Sequence, residues 1–411
     1  MPLEVLISGG GIAGPCFAWW LSQLPDTTIT ILERAPEPRT SGQAVDIRAA
    51  GVQVIRKMGL EETIKSKHTT EEGLSFVDEN GKAIASFPST GDAGNQSMTS
   101  EFEILRGDLA EVFYDATKDR VKYVFDEYLT GLEEKGDKVK ATFANHLPPK
   151  EYDLVVGADG MISKTRQISF GLGENEDNYL RRLGQFCAFF TIPRIESDTR
   201  WAVWYNAPRG RLILIRPDRY GSTRCYIAVT DWNLSRFDEI KSTIRQGVES
   251  QMAWLEAEFK DVGWQKERVI TGMKTSQDFY MQEIAQVKME KFVQGRVALL
   301  GDAGYCPSPI SGMGTTTAVV AAYVLAGEIA KLSDDIPTAL RNYQAVLKPF
   351  IQQVQTLPPG APQILNPQTT YGITTLQYAL GFASSGWIRS AALKIAAWLP
   401  QSKKWALPDY T

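Results

Sequence analysis

The stretch LEVLISGGGIAGPCFAWWLSQ at residues 3–23 constrains this chain more than any other. An apolar run leads into three consecutive glycines, and an apolar segment with helical spacing follows them. That is the pattern of a strand, a tight turn and a helix. Gly9, Gly11 and Gly14 stand in the spacing G-x-G-x-x-G. It removes side chains where the chain turns, where backbone must approach a pyrophosphate, and where helix packs on strand. The helix start then offers unpaired N–H groups and a partial positive charge to phosphates. A second strand, TITILERA, ends at Glu33, about 20 residues past the turn, where a carboxylate can accept from a ribose diol. Arg34 belongs to the same expected corner. An acid here disfavours a ribose 2′-phosphate. NAD and FAD both satisfy the corner, and an ordinary exposed strand-end acid is the alternative for Glu33.

At 411 residues the chain can build two or three packed units around large cores. Its net charge of −4, with signs mixed, supplies no basic field and excludes nucleic acid as a partner. Cys16, Cys187, Cys225 and Cys306 are far apart and form no C-x-x-C pair, which argues against a disulfide framework or a zinc site. A cytoplasmic protein without a metal is expected. His68 and His146, the two histidines, stand in polar surroundings and are expected at the surface. No basic leader precedes the first strand, so no signal peptide is expected, and no run of 18 uninterrupted apolar residues predicts a transmembrane segment.

The remaining pattern is α/β. Residues 51–66 carry apolar spacing on one helical face, and LSFVDENGKAIASF alternates around Asn80–Gly81 as a hairpin does. EYDLVVGADGMISKTR reads as a buried strand, a glycine turn and a helix. Residues 183–230 hold several alternating strands, and a long amphipathic helix is expected near 236–259. The predicted architecture is a Rossmann-like nucleotide-binding domain, discontinuous over 1–70, 100–175 and 275–335, with an inserted β-rich substrate domain from 71–99 and 176–274. Residues 336–411 form a C-terminal helical segment in this reading, with one or two amphipathic helices over 373–399.

The segment 295–327 selects between the two nucleotides. VALLGD ends on Gly301–Asp302, and PISGMG opens a helix at Gly312 and Gly314. FAD carries a polyol and a redox ring beyond its diphosphate. A strand-end carboxylate can hold the ribityl hydroxyls, and glycines at the next helix start let N–H groups approach the ring. A strand–glycine–helix unit without a ligand is the alternative.

With GADG at 157–160 as a third piece, the pattern resembles the class A flavoprotein monooxygenases, the para-hydroxybenzoate hydroxylase group, over the chain to about residue 335. Within it, GQAVDI, RGDL and a C-terminal helical extension are most similar to the tetracycline-inactivating and polyketide-pathway enzymes. The resemblance implies FAD held by Gly9, Gly11, Gly14 and Glu33, and a D-G motif at Asp159–Gly160 near FAD and the nicotinamide. It places Gly301–Asp302 on the flavin, and Arg106 as the arginine that braces it. Gln43 and Arg48 fall beside the ring, with a structural salt bridge the alternative for Arg48, and Pro309, Gly312, Met313 and Gly314 fall at its edge. Two departures stand out: Tyr305 where many relatives have histidine, and Met313 where they have glutamine.

The implied chemistry is an oxidoreductase that takes NADPH or NADH as a transient reductant, since no second dinucleotide fingerprint is present. Dioxygen and a small aromatic or polyketide-like molecule are the other substrates, with oxygen transfer through a flavin hydroperoxide. Hydroxylation, epoxidation and ring-oxygen insertion stay open, a flavin-dependent oxidase or reductase of the same fold and a non-catalytic ligand-sequestering flavoprotein are the alternatives, and a monomer or weak dimer is expected. Such chemistry needs a deep apolar pocket that excludes water between the inserted sheet and the flavin. Phe186, Phe190 and Trp204 are expected in its lining, with plain sheet core the alternative for each, and Arg211 could steer an anionic substrate or lie at a turn surface.

Overall fold

Strand Leu3–Ser8 lies inside a parallel sheet. In the computed structural model, which describes residues 2–39, 42–89, 102–171, 178–384 and 405–410, it pairs with Thr27–Glu33 on one side and Leu154–Gly157 on the other. Val297–Leu299 and Lys122–Phe125 extend the sheet in parallel, and Val293–Gln294 adds an antiparallel edge. Central parallel strands are covered on both faces, which is why Val5, Leu6, Ile7, Val155 and Val156 are all buried. Helices Ala13–Leu21 and Gly314–Lys331 cover one face, and a three-stranded sheet of Leu129–Lys135, Lys138–Phe143 and Lys150–Tyr152 covers the other. Register aligns Ser8 with Leu32 and Gly157, and Gly157 with Leu299. The carboxyl ends of four strands therefore open onto one edge, where doubly wound sheets bind ligands.

A seven-stranded sheet stands beside this edge, in the order Tyr280–Val287, Leu180–Pro193, Ser222–Thr230, Arg211–Pro217, Trp201–Ala207, Gly73–Val77, Ala83–Pro88. The period of two sorts its side chains onto two faces. Helices Phe237–Arg245, Val248–Glu258 and Lys266–Thr275 cover one face, and the other looks toward Ile310 at the end of the nucleotide edge. The hairpin expected at Asn80–Gly81 is present as Gly73–Val77 and Ala83–Pro88.

Three expectations change. The helix expected near 236–259 is two helices, broken at Gly247 with φ +97°, and residues 51–66 likewise hold Ala50–Lys57 and Glu61–Ser66, broken at Gly59 with φ +71°. An amphipathic pattern persists through such a break, because the second helix packs on the same core. Strand Tyr280–Val287, expected with the nucleotide-binding pieces, pairs with Leu180–Pro193 in the seven-stranded sheet. That pairing joins segments about a hundred residues apart, which local pattern does not encode.

Beyond residue 335, helix Ile336–Val354 packs on the Gly314 helix, and Thr370–Ser384 lies along strand Ala83–Pro88. The Trp405 ring packs at a tilt 4.8 Å from that of Phe350, and the Tyr410 hydroxyl donates to Glu328 at 2.7 Å. The part of the expected helical stretch over 385–399 lies outside the described residues. No helix among the described residues is long and apolar enough to cross a membrane. Both histidines are exposed, and the four cysteines are buried and unpaired.

Glu127 fixes the far end of the nucleotide edge. Its amide donates to the Glu33 carbonyl at 3.1 Å, and its buried carboxylate accepts amides of Tyr128, Ala144, Asn145, His146 and Leu147. Burial alone would raise its pKa, but these amides outweigh it and hold the carboxyl at about 2, against an ordinary 4.5. A depressed folded pKa stabilises above the unfolded value and loses that contribution as pH falls. Glu127→Gln should thus cost about 3 kcal/mol at neutral pH. Denaturant melts of both proteins should converge between pH 4.5 and about 2. An undiminished gap in acid would contradict the amide cage.

Candidate functional site

Gly9 adopts φ +116°, and a Cβ there would sit 2.4 Å from the Ala158 carbonyl oxygen. Only glycine lets the first turn lie against the Gly157–Asp159 turn. Gly11 differs: a Cβ there meets nothing within 4 Å. That open space faces the start of helix Ala13–Leu21, where a diphosphate would find free N–H groups. Glu33 accepts the Gly10 amide at 3.0 Å and the Ala35 amide at 2.8 Å, with Arg39 at 3.8 Å, so the loop itself orients the carboxylate. Arg34 beside it is exposed.

The other two corners are tied to the first. Asp159 accepts from the Ser163 hydroxyl at 2.5 Å and from the Thr165 amide and hydroxyl, both at 2.9 Å, so its carboxylate shapes its own turn. Ser163 caps helix Lys164–Ser169. Arg166, fully buried, donates to the Met161 and Ala303 carbonyls at 2.6 Å each and stacks 3.9 Å from the Tyr179 ring. It joins the Asp159 turn to helix Asp302–Tyr305. Sequence reasoning passed over Arg166; Lys164 stands in the same helix, and only burial distinguishes the arginine from it. A Cβ on Gly301 would lie 3.2 Å from Ala13 Cβ and 3.5 Å from Ala318 Cβ, and one on Gly314 would lie 3.8 Å from Asp302 Oδ1. The Asp302 corner therefore nests between the first turns of the Ala13 and Gly314 helices.

The next group forms the mouth of the edge. Pro309–Ser311 makes a single 3₁₀ turn, Gly312 turns left-handed, and the helix starts at Gly314 with Met313 as its cap. The Arg48 guanidinium is 3.7 Å from a Cβ built on Gly312, its amide donates to Thr316 Oγ1 at 2.8 Å, and its Nη2 pairs with Asp46 at 2.7 Å. The salt bridge held open for Arg48 thus exists, yet Nε is buried without a partner among the described residues. The Gln43 carbonyl accepts the Arg106 amide at 2.9 Å, while Gln43 Oε1 is likewise buried and unsatisfied. The Arg106 side chain is exposed at the start of helix Arg106–Asp115. Ala49 and Ser308, neither a glycine, hold φ of +43° and +80° in the loops next to Arg48 and Pro309. Strain of that kind persists where surrounding structure enforces it.

The open space at Gly11, the three joined corners and two unsatisfied polar atoms at the mouth fit FAD. Gly9, Gly11 and Gly14 would admit its diphosphate, Glu33 its adenosine ribose, Asp302 its polyol, and Gln43, Arg48 and Gly312–Gly314 its ring. Unpaired buried polar atoms are costly, so a ligand that satisfies them gains affinity.

The seven-stranded sheet corrects part of the expected pocket. Phe186, Phe190 and Arg211 do not face the flavin edge. Both phenylalanines pack under the outer helices, and Arg211 is buried there on the Asp261 carboxylate and the Pro208 and Glu258 carbonyls. Strand alternation requires it, because Phe189 between them takes the opposite face. Trp204 does lie on the side facing Ile310, with Phe189, Leu214, Tyr226 and Tyr280. Its Nε1 and the Tyr226 hydroxyl are buried with no partner among the described residues. Burial pushes the Tyr226 phenol up to about 12 despite Arg216 nearby, so it stays a donor. Tyr226 and Tyr280 escaped sequence reasoning, since register alone assigns them to this face. Tyr305 is core: its hydroxyl meets that of Tyr343 at 2.6 Å, and Phe292 packs on its ring.

The FAD binding domain family matches residues 2–357. Two curated proteins of Sarocladium schorii, the FAD-dependent monooxygenases asL4 and asL6, are each 34% identical, covering 99% and 100% of this chain and 98% of their own lengths. Among solved structures, the tetracycline destructase Tet(51) superposes with a TM-score of 0.77 at 28% identity over the whole of both chains.

Proposed function

This chain belongs to the FAD-binding family of FAD-dependent monooxygenases, and we propose that it consumes NADPH or NADH and dioxygen to place one oxygen atom on an oxygen-bearing aromatic or polycyclic molecule. One observation carries the substrate class. On an otherwise apolar wall facing the mouth of the nucleotide edge, the Trp204 indole N–H and the Tyr226 hydroxyl are buried donors without acceptors among the described residues. A flat molecule with phenol, enol or carbonyl oxygens covers the rings of Phe189 and Trp204 and satisfies both donors. Tetracycline, in the name of the structural neighbour, is of that class.

Bound FAD supplies the hydride-accepting and oxygen-transferring chemistry. The chain holds the cofactor through the three corners, keeps Glu33 and Asp302 as fixed acceptors, and lines the chamber with aromatic groups that exclude water. In this reading the FAD part comprises residues 1–70, 100–175 and 288–335, and the substrate part takes the seven-stranded sheet with its outer helices.

The test is turnover under ¹⁸O₂, after hydroxylated aromatic and polyketide-like compounds are screened for stimulated NAD(P)H consumption. One labelled oxygen in the product is expected. Reductant consumption with unlabelled product points instead to an oxidase or reductase, and ligand binding without stimulation points to a sequestering protein.

A further inference from the structure

We infer that the reductant is NADPH, and that its ribose 2′-phosphate is held in a cleft of three guanidiniums, those of Arg194, Arg200 and Arg219, beside the exposed ring of Tyr220. This inference rests on the monooxygenase reading and names the hydride donor which that reading leaves open between NADPH and NADH.

Arg194, Arg200, Arg219, Thr70, Pro217 and Asp218 border an open cavity of about 310 Å³. That is the lower end of small-molecule cleft size. Its cations are lightly engaged. Arg219 donates to the Ser66 carbonyl, and Arg194 reaches the Asp198 and Asp218 carbonyls at 3.3 and 3.5 Å, so neutral oxygens orient both, with no carboxylate in pairing distance among the described residues. Arg200 has only the exposed Glu72, at 3.7 Å. The bordering carboxylate does not cancel these charges. Asp218 is 3% exposed and accepts from Arg224 Nε at 3.0 Å, from the Ser222 hydroxyl at 2.5 Å, and from the Tyr220 and Ser222 amides. Arg216 shows the contrast: its guanidinium is taken by Glu71, at 2.8 and 3.0 Å, and by Glu103. Three guanidiniums around one compensated acid select an anion, and their planar forks match phosphate oxygens with parallel N–H bonds. Thr70 at the rim holds φ +65°, an outlier for a β-branched residue that the surrounding structure must enforce.

The place of the cleft decides which phosphate it takes. On the surface, the Tyr220 hydroxyl donates to Asp108 at 3.0 Å, two residues from the exposed Arg106 at the mouth. Inward, Pro217 and Asp218 also border a cavity of about 10 Å³ together with Ala44 and Leu105. Ala44 follows Gln43 and Leu105 precedes Arg106, so the end of strand Arg211–Pro217 lies between the cleft and the mouth. A dinucleotide with its nicotinamide at the mouth therefore lays its adenosine end on the cleft. Tyr220, 57% exposed, offers adenine a ring to stack on. The 2′-phosphate is terminal and carries nearly two negative charges at neutral pH, which suits three guanidiniums. NADH presents a hydroxyl there and leaves them unanswered.

The experiment uses FAD-loaded wild type, Arg194→Gln, Arg219→Gln and Tyr220→Ala. Calorimetry measures binding of adenosine 2′,5′-bisphosphate, adenosine 5′-monophosphate and inorganic phosphate, none of which needs turnover. Wild type is expected to bind the bisphosphate at least about tenfold more tightly than the monophosphate. Each arginine variant should lose about tenfold for the bisphosphate and nothing for the monophosphate, while Tyr220→Ala weakens both. In steady state the arginine variants should raise KM for NADPH about tenfold at unchanged kcat and leave KM for NADH where it was, as a lost binding contact does. Equal affinity for the two adenosines, or inorganic phosphate bound as tightly as the bisphosphate, overturns the 2′-phosphate site. So does an equal rise in KM for NADPH and NADH, which would put their shared diphosphate in the cleft instead. If an arginine variant fails to fold, Arg200→Gln decides, because that side chain is 65% exposed. Failure of wild type to incorporate ¹⁸O would strike the proposed oxygen transfer and leave nucleotide binding to be read on its own.

Discussion

Gly14→Ala is expected to yield a protein that has lost both FAD and much of its stability, while Gly11→Ala loses FAD alone. A methyl at position 14 would lie 2.1 Å from the Gly9 carbonyl oxygen and 3.1 Å from Ile7 Cγ2. The first obstacle is backbone, so it cannot rotate aside. Relief requires the helix Ala13–Leu21 to move off strand Leu3–Ser8, at a cost of about 3 kcal/mol. That movement also displaces the turn that meets the Asp159 corner. At position 11 the same methyl meets nothing within 4 Å of the protein. It should leave the apoprotein melt unchanged while weakening FAD by roughly 10- to 100-fold, since it fills the space proposed for the diphosphate. Thermal melts with and without added FAD, together with the visible absorbance of the purified proteins, separate the two. Equal behaviour of both variants would mean that the space at Gly11 does not face the ligand.

Asp302→Ala is the second large effect expected. Asp302 starts the helix Asp302–Tyr305, and its carboxylate lies beside the Gly314 helix start, between the diphosphate corner and the ring end. Hydrogen bonds to an ionised acceptor contribute about 1.5–3 kcal/mol each, so removing a carboxylate that would take two polyol hydroxyls weakens FAD by roughly 10²-fold or more. The fold should survive, because the corner's packing comes from Gly301 against Ala13 and Ala318. Circular dichroism of the variant should match wild-type apoprotein, and Asp302→Asn should recover part of the affinity. A variant that purifies with tightly bound yellow cofactor would remove Asp302 from the assigned role.

The geometry of these two turns was legible because glycine and acid at a strand end carry local instructions. Gly9, Gly14 and Gly301 answer to steric limits that any side chain violates, and Glu33 and Asp302 follow from strand length. The sheet face toward Ile310 was legible only as aromatic strands. Phe186 and Phe190 have the same composition as Phe189 and the same strand, yet they face the outer helices. A period of two says that neighbours diverge; it does not say which of them meets the cofactor edge. Arg211 and Arg216 present a similar ambiguity: the first is held outside by Asp261, and the second lies inward on Glu71 and Glu103.

The sequence by itself determined the nucleotide edge, because its turns are short-range and each glycine is dictated by atoms close along the chain or by a single neighbouring turn. Tertiary structure alone decided which face of the seven-stranded sheet looks toward Ile310, that Tyr280–Val287 joins that sheet, and that two glutamates share one arginine. Those outcomes depend on pairings across long sequence separations, where register and packing, not local propensity, assign each side chain its neighbour.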